Sequence, residues 1–266
     1  MICVQSYEKI LRYQKKIVPL HRFLCKHVEM TILCIETSTA VCSAALWQDG
    51  VVVAQRLSSE GGNHAKLLPR FVEELVAQGP KPDAVAVSAG PGSYTGLRIG
   101  VSTAKGLSYG WQVPLVAVPT LEILCAAARM KMKDERMKEA LLCPMIDARR
   151  MEVYTAMYDS ALQPQSEVTA SIVDETFAAQ FGEDHAPVCY FGDGAAKCQE
   201  VLSRAPWQFI PDIVPEAQYI GPLAEERMKR KEERTKEVLE GSAVAYYEPF
   251  YLKEFVAAQS HVKGLV

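Results

Sequence analysis

Four groups of residues in this 266-residue chain combine types and spacings that can do chemistry. The first is Ile35-Glu36-Thr37-Ser38-Thr39, a carboxylate followed by three hydroxyls. A carboxylate is a hard oxygen ligand and short hydroxyls are donors, a pairing that suits a phosphate and its metal-bound water. Hydroxyl residues at a turn also cap backbone groups, so that plainer reading stands beside the chemical one. The second is Ser88-Ala89-Gly90-Pro91-Gly92-Ser93-Tyr94-Thr95-Gly96-Leu97-Arg98-Ile99-Gly100. A glycine-rich turn that opens a helix offers an anion free backbone N–H groups and the positive end of the helix dipole. No Lys-Ser/Thr follows the glycines, so this is not a Walker A loop. Its alternative is an ordinary helix start capped by Ser93 or Thr95. Glu36, Thr37, Ser38, Gly90, Gly92, Ser93, Thr95 and Gly96 are therefore the candidate nucleotide- or anion-binding residues. The third is His64, alone at a helix start, where a cap or core hydrogen bond is the commoner role. The fourth is Asp147-Ala148-Arg149-Arg150-Met151-Glu152-Val153-Tyr154, whose opposite charges fall at an expected turn. They are either a cleft-facing pair or a solvated turn.

The elements that must position these residues follow from hydrophobic period and turn signals. Residues 31–36, 41–48 and 51–58 read as strands, the last two joined by the tight-turn pair Asp49-Gly50. A helix over 63–78 carries apolar Leu67, Leu68, Phe71, Val72, Leu75 and Val76, and Gly79-Pro80 stops it. Residues 84–89 form a continuous apolar run, as a doubly covered strand does. The glycine turn leads into a helix over 94–109, then a strand over 113–118 and a helix over 121–132. Three antiparallel strands followed by strand–helix alternation predict an α/β mixed sheet with helices on both faces. That order matches one lobe of the actin/hexokinase/Hsp70-like, ribonuclease-H-like two-lobe fold. The second half reads as a hairpin over 141–148 and 152–159, a strand near 167–172, a helix over 174–181 and a strand over 187–191. Pro-rich chain follows over 206–215, then a charged, solvated helix over 221–239. No internal repeat is visible, and the second lobe is reduced. The expected division is an extension over 1–29 with little fixed structure, an N-terminal lobe over 30–133 and a C-terminal lobe over 134–266. The extension is alternatively a membrane or RNA arm, because Tyr7 to Lys16 could form a basic amphipathic helix.

Gly96, Gly100 and Ala104 are four apart and share one helix face. Interior glycines cost a helix about 1 kcal/mol each, which close approach of another backbone can offset. That backbone belongs either to this lobe's own sheet or to a helix of another subunit. Leu67, Leu68, Phe71, Leu75, Leu97, Gly100, Val101 and Ala104 are accordingly the candidate partner interface.

Bulk properties narrow the function. The net charge of −3 becomes −7 once the basic first 29 residues are set aside. An acidic body is a poor platform for nucleic acid, whose nonspecific affinity comes from Lys and Arg neutralising phosphates. The eight cysteines include no CxxC pair and read as reduced, buried thiols of a cytosolic protein. No apolar run reaches the roughly 20 residues that span a bilayer.

Ile35-Glu36-Thr37-Ser38, the glycine-rich stretch with Ala104-Lys105-Gly106-Leu107, Asp147-Ala148-Arg149 with Glu152-Val153-Tyr154, and Tyr251-Leu252-Lys253 together resemble the TsaB (YeaZ) family over about residues 30–255. Lys253 stands where that family more often has Arg. The resemblance implies a non-catalytic, dimer-forming subunit with no catalytic or metal-binding residue of its own. A related catalytic subunit, TsaD, carries a metal-binding His-x-x-x-His, and alignment through the glycine stretch puts Thr120 and Leu124 at those positions. The Gly-Gly phosphate loop of that relative is also missing, with Asp147-Ala148-Arg149 standing near there. The implied partners are a TsaD-like subunit, met through the two helices flagged above, and a TsaE-like ATPase, with a homodimer when alone and tRNA reached indirectly. The implied product is N6-threonylcarbamoyladenosine beside the anticodon. The resemblance further implies a cytoplasmic location without membrane contact, and no cofactor required by this subunit, with ATP or ADP at the level of the complex. The rival readings are an ATP-dependent phosphotransferase of the actin/sugar-kinase class and a metal-dependent glycoprotease-like hydrolase.

Overall fold

The computed structural model describes residues 30–132, 139–181, 187–230 and 237–253. The expectations for residues 1–29 and for a lobe boundary near 133 lie outside them. From Thr31 onward the chain forms one compact unit.

The first lobe opens with β1 (Thr31–Glu36), β2 (Cys42–Gln48) and β3 (Val51–Ser58). Asp49 and Gly50 take φ of 44° and 89°, the left-handed backbone that a tight hairpin needs. Helix α1 (His64–Gln78), β4 (Ala84–Ser88), α2 (Tyr94–Trp111), β5 (Leu115–Val118) and α3 (Thr120–Lys131) follow. The second lobe contains β6 (Leu141–Asp147), β7 (Glu152–Thr155), β8 (Thr169–Ile172), β9 (Val188–Phe191), the short α4 (Gln199–Leu202) and β10 (Trp207–Phe209). The chain then returns to the first lobe with α5 (Ala217–Lys229), β11 (Val238–Leu239) and α6 (Ser242–Tyr246).

The first sheet runs β11-β5-β4-β1-β2-β3, with β1 antiparallel to β2 and parallel to β4. Alternation sorts its side chains. Leu33, Ile35, Ala44 and Leu46 face α1 and α2 in a core with Leu68, Leu75, Val101 and Ala104. The opposite face of β2 meets α5: Ser43 Oγ accepts from Ala217 N at 2.9 Å, and Trp47 lies on Gly221. The second sheet runs β10-β9-β6-β7-β8. Its first three strands form an antiparallel meander and its last two run parallel to β6. This repeats the order β5-β4-β1-β2-β3 strand for strand, so the lobe is duplicated in topology although no repeat is visible in the residues. The reduction lies in the helices. Where α1 stands in the first lobe, the second has, among the described residues, only a 3₁₀ turn at Ala178–Phe181, which corrects the helix expected over 174–181. There Phe177 is fully buried, with its ring 5.4 Å from Phe181 and 5.8 Å from Trp207, so one aromatic cluster replaces a helix face.

The solvated helix expected over 221–239 is also corrected. Helix α5 starts at Ala217, and Ala217, Ile220, Gly221 and Ala224 are buried on the sheet. A Cβ on Gly221 would lie 2.4 Å from the Trp47 ring, so the glycine is required by the indole. Glu225 accepts from Trp47 Nε1 at 2.6 Å. Arg227, with its side chain 11% exposed, reaches Glu122 and Glu237, both at 2.7 Å. Arg227 and Glu225 thus belong to a partly buried network, while Lys229 and Arg230 are exposed and make the expected i,i+4 pairs with Glu225 and Glu226. The six described cysteines are all buried, and burial pushes Cys42 and Cys189 up to about 11. No described helix is long and apolar enough to cross a membrane.

Candidate functional site

The carboxyl ends of the parallel strands β1, β4 and β5 converge where open α/β sheets usually take ligands. Glu36 ends β1 there and is fully buried. Its Oε1 accepts from Ser38 N at 2.6 Å. Its Oε2, Ser38 Oγ and Ser88 Oγ are buried with no hydrogen-bond partner. Burial pushes the Glu36 carboxyl up to about 7, with the neighbouring Ser38 and Ser88 groups pulling part of the way back. Thr37 Oγ1 donates to Gly96 O at 2.8 Å.

The glycine turn packs directly on this segment. A Cβ on Gly92 would lie 2.5 Å from Ser38 O, one on Gly96 2.0 Å from Thr37 O, and one on Gly100 2.2 Å from Thr37 Oγ1. The N–H groups expected to meet an anion are used internally: Ser93 N donates to Ser38 O at 2.6 Å, Gly96 N to Ser93 Oγ, and Gly90 N to Thr120 Oγ1 at 3.2 Å. Ser93 is the helix cap, as the plainer reading held. Of the eight candidate anion-binding residues only Ser93 and Thr95 are exposed. A nucleotide does not fit among Glu36, Thr37 and Ser38 in this arrangement, because the turn fills the space above them.

A strap formed by residues 242–253 covers what the turn leaves. Phe250 N donates to Ala89 O at 2.7 Å, and Phe250 O lies 2.4 Å from where a Gly90 Cβ would stand. Lys105 Nζ holds the strap through Ala245 O and Tyr247 O at 2.6 and 2.9 Å. The Tyr251 ring lies 4.8 Å from Tyr94, and the Arg98 guanidinium sits 5.4 Å from the Tyr94 ring. Lys253 pairs with Glu152 and so ties the strap to the second lobe. Sequence reasoning quoted Tyr251-Leu252-Lys253 as a motif but did not foresee this placement. An open pocket of about 470 Å³ lies at the strap, lined by Ala89, Pro119, Glu237, Tyr247 and Phe250.

Thr120 and Leu124 are fully buried. Thr120 pins the turn from both sides, since its N donates to Gly90 O at 2.9 Å and its Oγ1 accepts from Gly90 N. A transition metal does not fit here: one hydroxyl already serves the backbone, and the other side chain is an alkyl group. His64 has its Nε2 3.0 Å from Thr39 O, which is the core hydrogen bond that a lone histidine most often makes.

The proposed interface residues need correction. Leu68, Leu75, Val101 and Ala104 are buried in the chain's own core, Leu97 and Gly100 are buried too, and Thr37 stands against Gly96 and Gly100. Leu67 and Phe71 of α1 and Ile99 and Leu107 of α2 are only partly buried, packed against the same core. The turn after β6 is exposed. Asp147 pairs with Lys197 and accepts from Arg149 N at 3.2 Å.

With this geometry in place, comparison with known proteins is informative. The family profile described as "TsaD: tRNA N6-adenosine threonylcarbamoyltransferase" matches residues 58–258. The Bacillus subtilis tRNA threonylcarbamoyladenosine biosynthesis protein TsaB is 30% identical over 209 residues, 76% of this chain and 85% of that protein. The chain belongs to the TsaB/YeaZ family. The Escherichia coli TsaB is 39% identical over 132 residues, but that match spans 48% of this chain and only 55% of that protein. The solved YeaZ from Pseudomonas aeruginosa superposes with a TM-score of 0.70 at 26% identity, covering 84% of this chain and 100% of that one. The two-lobe frame of this TsaB-family chain is thus the frame of a solved relative.

Proposed function

We propose that this TsaB-family chain acts in tRNA threonylcarbamoyladenosine biosynthesis, as a non-catalytic docking subunit for a TsaD-like catalytic partner. The observation that carries the reading is the pair Thr120 and Leu124. Where the resemblance places the catalytic relative's two metal-binding histidines, this chain has a hydroxyl spent on Gly90 and an apolar core residue. The closed pocket around Glu36 supports the same reading, because the phosphate-facing end of the frame is filled by its own turn and strap. In this proposal any metal and the ATP or ADP chemistry belong to the assembled complex, with a TsaE-like ATPase as its further member and a homodimer as the partner-free form.

Depleting the protein and analysing the nucleosides of bulk tRNA tests the function. The modified adenosine should fall in step with the protein, and undiminished modification would sink the proposal. Docking falls to α1 and α2, where Leu67, Phe71, Ile99 and Leu107 stay partly exposed. Phe71→Asp should weaken binding of a TsaD-like partner at least tenfold, about 1.4 kcal/mol or more, with only a small change in thermal midpoint. Equal affinity in a titration would move the interface elsewhere.

A further inference from the structure

The turn between β6 and β7 is the least comfortable stretch of exposed backbone in the second lobe. Arg149 and Arg150 take φ of 74° and 49°, a region that disfavours any side chain with a Cβ. Both are exposed, and neither side chain bonds to a described residue. The acids at the base of the turn are already neutralised, Asp147 by Lys197 and Glu152 by Lys253. Two adjacent guanidiniums are therefore left over on an otherwise acidic protein. Two residues before Lys253 the strap presents Tyr251, 37% exposed, and next to it Phe250, 47% exposed. Tyr251 leans on Tyr94, over which Arg98 lies.

We propose that the Arg149–Arg150 turn and the neighbouring rings of Phe250 and Tyr251 form a contact surface for single-stranded RNA. Guanidiniums match phosphate oxygens in a two-point fork, and exposed aromatic rings stack on unpaired bases whatever their sequence. Arg and aromatic residues also suit a protein partner, and the test below separates the two. The acidic body confines this surface to an auxiliary contact, with most RNA affinity supplied elsewhere in the assembly. The inference rests on the proposed function and names which part of this chain the tRNA touches.

The test uses the chain assembled with a TsaD-like partner and an unmodified tRNA transcript, with affinity measured across a salt series. Arg149→Asn combined with Arg150→Gly removes both charges and installs residues that suit the left-handed backbone, so the fold is not put at risk. Affinity at low salt should drop about tenfold, and the log–log salt slope should become shallower by about 1.4 for two lost phosphate contacts. Replacing both arginines by lysine should restore most of the slope, and Phe250→Ala should weaken binding without changing it. An unchanged affinity and slope in the Asn/Gly variant overturns the contact while leaving the function standing. Loss of partner assembly instead of RNA affinity makes this a protein-docking turn and also overturns it. A wild-type assembly that ignores the transcript removes the functional reading itself, and the contact with it.

Discussion

In the first lobe, β1 ends at Glu36 and the chain turns inward, under a glycine-rich segment that fits against Thr37 and Ser38 at backbone distance. In the second lobe, the equivalent strand β6 ends at Asp147 and the chain turns outward, through two arginines in left-handed backbone. Glycines serve both lobes in the same way at one point: Gly192 and Gly194 lie against Met145 and Ile146 as Gly92 and Gly96 lie against Ser38 and Thr37. The first turn shows why its residue types are needed, because a neighbouring atom stands wherever a side chain would go. At the second, nothing within the described fold calls for Arg149 or Arg150.

The largest expected effect comes from breaking the first turn. In Gly96→Ala the new methyl would meet Thr37 O, and forcing the start of α2 off β1 should cost about 3 kcal/mol, read by denaturant unfolding. A neutral outcome would mean that the turn tolerates slack and that its glycines need another explanation. Next in size is Glu36. Its carboxyl is pushed up to about 7 in the folded chain from an ordinary value of 4.5, so the folded form holds the proton more tightly than the unfolded one. Stability from this group is therefore complete below the ordinary carboxylate range and drains away as pH rises from about 4.5 to about 7. The loss amounts to about 3 kcal/mol at most. Glu36→Gln should flatten the stability profile over that window and leave the chain the more stable of the two at pH 8. Parallel profiles would place the proton elsewhere. The smallest effect is at the second turn, where Arg149→Asn with Arg150→Gly should raise stability by about 1 kcal/mol even as RNA contact weakens. A loss of stability would show that the arginines serve the fold after all.

Much of the first lobe is legible in the residues. Asp49-Gly50, the helical period of Leu68, Val72 and Leu75, and the apolar run of β4 each specify their element locally. The second lobe is less legible because its helices have shrunk below the length at which periodicity speaks, leaving Phe177, Phe181 and Trp207 to close the core by shape. Helix α5 was misread for a different reason. Its charges Glu225 and Arg227 look solvated until Trp47 and Glu122 are placed beside them, and those partners come from distant parts of the chain. A usable signal was present in Ala217, Gly221 and Ala224, small residues spaced to let a helix approach a sheet. At the candidate site the residues left two uses open, an anion cradle and a capped turn. The hydroxyls of Thr37, Ser93 and Thr120 bond the glycine turn itself, a use that depends on distances no residue list contains.

Helix α5 and strand β11 complete a sheet that was begun almost two hundred residues earlier. While the chain emerges from the ribosome, the second lobe is made before the cover of the first arrives. Until about residue 229 is synthesised, the side of the first sheet that carries Trp47 has no helix over it. The nascent protein therefore passes through a period with one greasy sheet face uncovered, and this is when a chaperone would find it. The same threading means that neither lobe can be cut away whole: a break between them would strand the lid of one on the far side of the other.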